Sequence, residues 1–386
     1  MDFTLSDEHQ QVVATIRDFG ETEIKPHASA WDREERFPIE TVKKLGRLGF
    51  LGVALPEDVG GGGADTLTNA LVVEGVTRYD AGFGLTVASH GGLASGHINL
   101  FAGDHLRRRY LPKLTTGEWL GAWCLTEPGS GSDAAALRTR AVRDGDHWVI
   151  DGAKMFITQG SVANVFVVLA STTPDRGPAG ISAFVVERGM PGLGNGRKID
   201  KLGLRSSDTA EVVLENVRVP ADHLIGEEGQ GFKQALRILD GGRITIAAWC
   251  CGIARGALEE SIAYAKDRKT FGKAIAEHQA VQFMLADMAT RLDAARCLLF
   301  RACWLKDQGR PFGTEASMAK LVASETAMWA TTKAVQIHGG YGYMREFPVE
   351  RYMRDAKLGE IGEGTSEVQR IVIGRALLRG AGLASL

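Results

Sequence analysis

Near the C-terminus the chain reads RDAKLGEIGEGTSEVQR, Arg354 to Arg370, and sets a carboxylate, Glu363, between Gly362 and Gly364. A glutamate flanked by two glycines suits a general base held over a flat ligand, because no neighbouring side chain crowds it and glycine accepts backbone conformations other residues resist. Ser366 with Gln369 three residues on spells a capping box, so a helix carrying Val368, Ile371, Val372 and Arg375 is expected to start at Thr365 or Ser366 and to leave Glu363 on a turn. An acid ahead of a helix also complements the macrodipole, and from this segment alone both roles stay open. The second candidate charge is Arg243, which falls on the apolar stripe of Phe232, Leu236, Leu239, Ile246, Cys250 and Ile253. A guanidinium on such a face needs a partner, and Asp240, three residues earlier, is in reach. Spacing does not decide between a structural ion pair and a charge kept beside a ligand pocket.

The elements that must position these groups fall into three stretches: 1–119, 120–227 and 228–386. The first reads as helical, opened by the capping run Thr4-Leu5-Ser6-Asp7 and punctuated by Pro26, Pro38, Pro56 and Gly60 to Gly63. That glycine run lacks the lysine and hydroxyl of a phosphate-binding loop and is expected to be a turn. In the second, HWVIDGAKMFIT, ANVFVVLAS, GISAFVVER and AEVVLENVRV are short β-branched runs separated by turn signals. Strands so close together, without helices between them, predict an antiparallel barrel or sandwich. The segment Gly129-Ser130-Gly131-Ser132-Asp133-Ala134 fits a dinucleotide fingerprint by letter, but it leads into a predicted strand at Leu137 to Val142 and not into a helix, which excludes a Rossmann site. The third stretch predicts long helices at about 230–266, 275–307, 314–338 and 365–380, the makings of a four-helix bundle.

Composition narrows the function. At 386 residues and 44% hydrophobic, the chain can bury a large core. A formal charge of −2 argues against a nucleic-acid binder, which needs a basic face. The acidic opening MDFTLSDEHQ has no signal-peptide pattern, and the longest apolar run, Ile244 to Ala254, is too short to span a bilayer, so a cytoplasmic location is expected. Cys124, Cys250, Cys251, Cys297 and Cys303 form no CxxC pair and read as reduced core residues; no metal site is expected.

Four blocks together point further. GEGTSEVQR, WCLTEPGSGSD (Trp123 to Asp133), DRKTFGKAIAEHQAVQF (Asp267 to Phe283) and QIHGGYG (Gln336 to Gly342) resemble, in order, segments of the acyl-CoA dehydrogenases, and ALPEDVGG and YLPKLTTGEW extend the likeness toward the N-terminus. The resemblance implies an α+β multidomain fold with a helical N-terminal domain, a middle β domain and a C-terminal helical bundle. It also implies FAD and an acyl-CoA thioester, desaturated to the trans-2-enoyl-CoA as a carboxylate takes the α proton and hydride passes from Cβ to flavin N5. By motif matching, Glu363 is the base, and its backbone N–H serves the thioester oxygen. Trp123, Leu125, Thr126, Ser132, Phe156 and Thr158 match residues lining the flavin, with Ser132 also near the substrate. Thr365 and Glu367 match further cofactor contacts, and Asp240, Arg243 and Gly364 substrate contacts.

Arg268, Phe271 and Gln279 match residues that reach the FAD of a neighbouring subunit, and Gln336, Gly339 and Gly340 match its pyrophosphate and adenosine segment. An arginine suits a pyrophosphate and paired glycines allow close backbone approach, although Gly339-Gly340 alone would also serve as a helix cap. The resemblance therefore implies a homotetramer, a dimer of dimers, with electron-transfer flavoprotein as the reoxidising partner. Phe156 stands where many members carry tryptophan. Gly362 replaces an aromatic beside the base and leaves acyl length and branching open. Some members carry the base next to the arginine equivalent to Arg243, but here Gly241 and Gly242 occupy those places. An acyl-CoA oxidase or flavin monooxygenase would share most of these blocks, and a non-catalytic acyl-CoA-binding scaffold is the rival from another class.

Overall fold

The computed structural model describes residues 4–380. Seven helices make the N-terminal part: α1 (Asp7–Phe19), α2 (Lys25–Glu34), α3 (Ile39–Arg47), α4 (Thr66–Thr77), α5 (Ala81–Ser89), α6 (Gly96–Phe101) and α7 (Asp104–Thr115). Ser6 caps α1 as its hydroxyl accepts from the His9 amide at 3.2 Å, while Asp65 and Asp80 cap α4 and α5. A wide π-helical turn, His90–Ser95, joins α5 to α6, and it contains Gly91 and Gly92. Such turns inside a helix are frequent at functional sites.

Seven strands follow: β1 (Gly121–Cys124), β2 (Arg140–Asp144), β3 (His147–Thr158), β4 (Val165–Ser171), β5 (Ile181–Glu187), β6 (Leu193–Lys198) and β7 (Thr209–Pro220). The spatial order is β1-β4-β2-β3-β7-β6, with β5 also paired to β4. The expectation of a purely antiparallel sheet fails around β4: β1 runs parallel to it, Gly121 opposite Val165 and Cys124 opposite Val168, and β2 meets its end in parallel, Arg140 opposite Ser171. Nothing in GAWC announced that partner, because the strand is four residues long and wholly buried. β4 is buried along its whole length. Its odd-numbered residues Val165, Val167 and Leu169 face a core shared with Leu106, Tyr110 and Leu114 of α7, and Phe166, Val168 and Ala170 face Trp148, Phe184 and Val217 on the other side. A strand covered on both faces reads as a continuous apolar run, which is what VFVVLAS is.

The C-terminal part is helical again, with α8 (Gly231–Asp267), α9 (Gln279–Asp307), α10 (Gly313–His338), the short α11 (Val349–Ala356) and α12 (Ser366–Leu378). A hairpin of β8 (Lys269–Thr270) and β9 (Lys273–Ala274) links α8 to α9. At 37 residues α8 is about 55 Å long. It is the molecule's central post, packing against α4, α5, α9 and α10. From Gly242 to Ala254 every residue of α8 is buried, so this half is apolar all round rather than striped. The predicted stripe needs correction at Leu236, which is 46% exposed and forms the wall of a cavity. Among the cysteines, Cys297 is exposed and the other four are buried and free.

Candidate active site

Glu363 sits on the turn between a short helical turn, Lys357–Glu360, and α12. Its φ is +52°, a left-handed value that costs a non-glycine residue about 1–3 kcal/mol and recurs at functional sites. Gly364 follows at φ +90°, where only glycine is comfortable. The predicted capping box does not form. Thr365, not Ser366, is the cap, accepting from the Val368 amide at 3.3 Å. Gln369 turns back instead, donating through Nε2 to the carbonyls of Glu363 at 3.3 Å and Gly364 at 2.9 Å. No described group accepts a hydrogen bond from the Glu363 amide, which leaves that N–H free for a ligand oxygen.

The carboxylate points at α8, into the space left by the missing side chain of Gly242. Its Oε2 is buried without a hydrogen-bond partner. Burial raises the Glu363 carboxyl to about 7 from its ordinary 4.5, and the positive charges of Lys320 and Arg243 partly offset that. A carboxylate of this kind matches the working range of a general base. Arg243 is buried beside it, with Nη1 donating to Asp240 Oδ1 at 2.7 Å and Ser317 Oγ at 3.3 Å, while its Nε stays unpartnered. Asp240 is raised by burial and held back by Arg243. It also borders a cavity of about 1230 Å³ that runs between α8, the π-helical turn and the α9–α10 connection. Gly241, Thr245 and Gly92 line that cavity close to Gly242, and Lys233, Arg237 and Arg310 give it a basic rim. Glu363 itself lies behind Gly242 and outside this wall.

The residues matched to the flavin form a second cluster. The Thr126 carbonyl accepts from the Met155 amide at 2.8 Å, which lays the loop after β1 along β3. Beneath it, Lys154 and Glu127 make a buried ion pair at 2.7 Å, and Glu127 also accepts from the Arg138 and Thr139 amides. The register of β3 against β7 slips between Lys154 and Ile157. There Phe156 takes φ +59° and holds its ring out 62% exposed, with Thr158 two residues on. An aromatic ring kept in view by a strained bulge offers a stacking face to a planar ring. These residues thus fit a flavin. Trp123 and Leu125 are buried, and Trp123 Nε1 donates to His97 Nδ1 at 3.0 Å. His97 Nε2 then donates to Gln234 Oε1 at 3.0 Å, a relay from β1 to α8 that the sequence reading missed. Ser132 is exposed in the intervening loop, and Glu367 is exposed on the first turn of α12. The two clusters share a neighbour in the π-helical turn, which touches β1 and, through Leu93, lies near Gly242.

The third set of matched residues is elsewhere on the chain. Arg268, Gln279, Gln336, Gly339 and Gly340 are exposed, and Phe271 is 96% exposed at φ +51°. Gly242 and Arg268 are separated by nearly 40 Å of α8 at ~1.5 Å per residue. Within one chain these residues therefore do not join the site around Glu363.

With this architecture and a carboxylate whose Oε2 is buried at Glu363, the chain can be placed among its relatives. Its residues 6–118, 122–217 and 229–378 match the N-terminal, middle and C-terminal domains of the acyl-CoA dehydrogenases. It is 46% identical over 379 residues to the short-chain specific acyl-CoA dehydrogenase of Clostridium acetobutylicum, covering 98% of this chain and 100% of that one. Among solved structures it is similar to butyryl-CoA dehydrogenase from Megasphaera elsdenii, with a TM-score of 0.96, 43% identity and 98% and 100% of the two chains covered. It is also similar to a chain of a solved structure described as the electron transferring flavoprotein of Acidaminococcus fermentans, with a TM-score of 0.97, 44% identity and the same coverage. The chain belongs to the acyl-CoA dehydrogenase family. It is a flavin-dependent oxidoreductase acting on acyl-CoA thioesters. Among the described residues no helix is long and apolar enough to cross a membrane.

Proposed function

We propose that Glu363 is the base that removes the α proton of a short-chain acyl-CoA, with FAD as the flavin. The observation that carries this is a carboxylate with an unpartnered oxygen, raised to about 7 by burial and seated on a turn whose own N–H is free. A bound flavin would supply the acceptor for the hydride that leaves Cβ. The chain does the rest. Glu363 takes the proton, and its amide donates to the thioester oxygen, where enolate charge develops. Gly364 at positive φ allows the turn to present both groups together. Arg243 and Lys320 stabilise the ionised carboxylate. The loop from Trp123 to Ser132 and the bulge at Phe156 and Thr158 form the flavin's seat. Thr365 and Glu367 extend that seat from α12, Asp240 borders the cavity that takes the substrate, and Arg243 stands behind Asp240, paired with it.

Arg268, Phe271, Gln279, Gln336, Gly339 and Gly340 serve the cofactor of another subunit. Their exposure and their distance along α8 and α10 from Glu363 support this, and a homotetramer would bring one subunit's set to another's cofactor. Electron-transfer flavoprotein is the proposed acceptor, and the cytoplasm the proposed compartment. The short-chain assignment rests on the names of the similar dehydrogenases. Gly362 is consistent with a range of acyl shapes, since a Cβ there would meet only Leu358 at ordinary contact distance, 3.5 Å. The test is anaerobic bleaching of the purified protein's flavin by acyl-CoAs of two to sixteen carbons, straight and branched. Fastest bleaching by a four- to six-carbon straight chain is expected. Fastest bleaching by a long or branched chain would overturn the short-chain assignment.

A further inference from the structure

Lys320, on α10, is fully buried, and its ammonium donates a hydrogen bond to the carbonyl of Gly364 at 2.7 Å. A buried ammonium is costly unless charge or hydrogen bonds compensate it. The groups facing it are Cys250 and Arg243 from α8, Glu360 from the turn before the base, and Glu363. Glu360 is already engaged, by Lys357 at 2.5 Å. Arg243 has Asp240 as its counter-ion, at 2.7 Å. Glu367, on α12, is exposed to solvent. Glu363, with its unpartnered Oε2, is the remaining opposite charge. The same carbonyl of Gly364 also accepts from Gln369 Nε2 at 2.9 Å, so two donors from two helices meet on the residue next to the base.

We infer that Lys320 is a positioning residue for proton abstraction: its ammonium clamps the strained turn at Gly364 and supplies a fixed counter-charge to the Glu363 carboxylate. The inference rests on the reading of Glu363 as the base. The two functions separate by chemistry. The hydrogen bond fixes where the carboxylate and the free amide lie. The charge sets how easily the carboxylate gives up its own proton, since removing a nearby cation disfavours the ionised form.

Lys320→Met removes both functions at similar volume, and Lys320→Gln keeps a donor for the Gly364 carbonyl but loses the charge. Anaerobic single-turnover flavin reduction by butyryl-CoA is followed from pH 5 to 9.5 in FAD-loaded wild type, both variants and Glu363→Gln. In both lysine variants the midpoint of the pH–rate curve is expected to move upward by about one unit. The rate at the high-pH plateau should fall about tenfold or more in Lys320→Met and less in Lys320→Gln. A second readout needs no turnover. The stability change that Glu363→Gln makes, measured against pH, should shift its midpoint upward in the Lys320→Met background. Unmoved midpoints in both measurements, or failure of both lysine variants to fold with FAD, would overturn the inference and leave Lys320 a brace of the bundle. Near-normal flavin reduction by Glu363→Gln would instead overturn the assignment of the base itself.

Discussion

The carboxylate of Glu363 occupies the place of the side chain that Gly242 lacks: a Cβ built on Gly242 would overlap Oε2 and lie 3.1 Å from the carboxyl carbon. The carboxylate comes from the turn before α12 and its berth from the middle of α8, more than a hundred residues earlier. The atom in the way is the far end of a flexible side chain, so an added methyl would move the carboxylate before it disturbed the helix. Gly242→Ala is therefore expected to fold and keep its flavin while flavin reduction slows by about a hundredfold, the cost of misplacing a reacting group by an ångström or so. Unchanged reduction kinetics would show that the carboxylate does not need this berth.

The Glu363 carboxyl is raised to about 7, and an abstracting base must be ionised, so flavin reduction should rise with pH through about 7 and level off above it. Stability should carry the opposite trace. The folded value lies above the ordinary 4.5, so the folded protein holds this proton between about 4.5 and 7. The associated stability is complete below 4.5 and lost as pH rises through 7. Glu363→Gln is free of that loss. Relative to wild type it should gain up to about 3 kcal/mol per chain between pH 4.5 and 8, at ~1.4 kcal/mol per unit. Thermal melts of both proteins across that range check the sign.

Arg243 donates to both Asp240 and Ser317 from one nitrogen, in reach of Glu363 but buried within α8. Lysine keeps the charge and loses the planar fork. Arg243→Lys should lower turnover by about tenfold while shifting the melting temperature by only a few degrees. A large loss of stability with normal activity per folded molecule would make the pair with Asp240 a structural brace.

Phe271, 96% exposed on the β8–β9 hairpin at positive φ, meets His278 only edge-on, and Arg268 beside it is exposed over the Tyr341 ring at 5.6 Å. If they reach a neighbour's cofactor, Arg268→Ala and Phe271→Ala should weaken FAD retention and tetramer assembly together. Flavin content and light-scattering mass measure both. Full flavin occupancy in a stable tetramer would refute the intersubunit assignment.

Much of this was legible in the residues. The long helices α8, α9 and α10 were expected within a few residues of their ends, α8 on the spacing of its apolar residues, and Glu363 stands out because it lies between glycines next to a helix start. Arg243 was readable as a charge on an apolar face, and Asp240 as its partner. Other features carry no local signal. Lys320 looks like any lysine in an alanine-rich helix, and only the packing of α10 against α8 and the turn shows that it is buried. Ser366 and Gln369 spell a capping box, but Thr365 takes the cap because Gln369 has better acceptors in the carbonyls of the strained turn. The parallel pairing of β1 with β4 and the Trp123–His97–Gln234 relay join residues far apart in sequence, where periodicity has no reach.

The most direct test of the account is the effect of Glu363→Gln on the anaerobic single-turnover reduction of the bound flavin by butyryl-CoA. The amide keeps the shape of the carboxylate and its hydrogen-bonding capacity but cannot take the proton. FAD and acyl-CoA are expected to bind as in wild type while the flavin bleaches about a hundred to ten thousand times more slowly. Bleaching within a few-fold of the wild-type rate would remove Glu363 from the mechanism and make Asp240, the other carboxylate beside Arg243, the next candidate base.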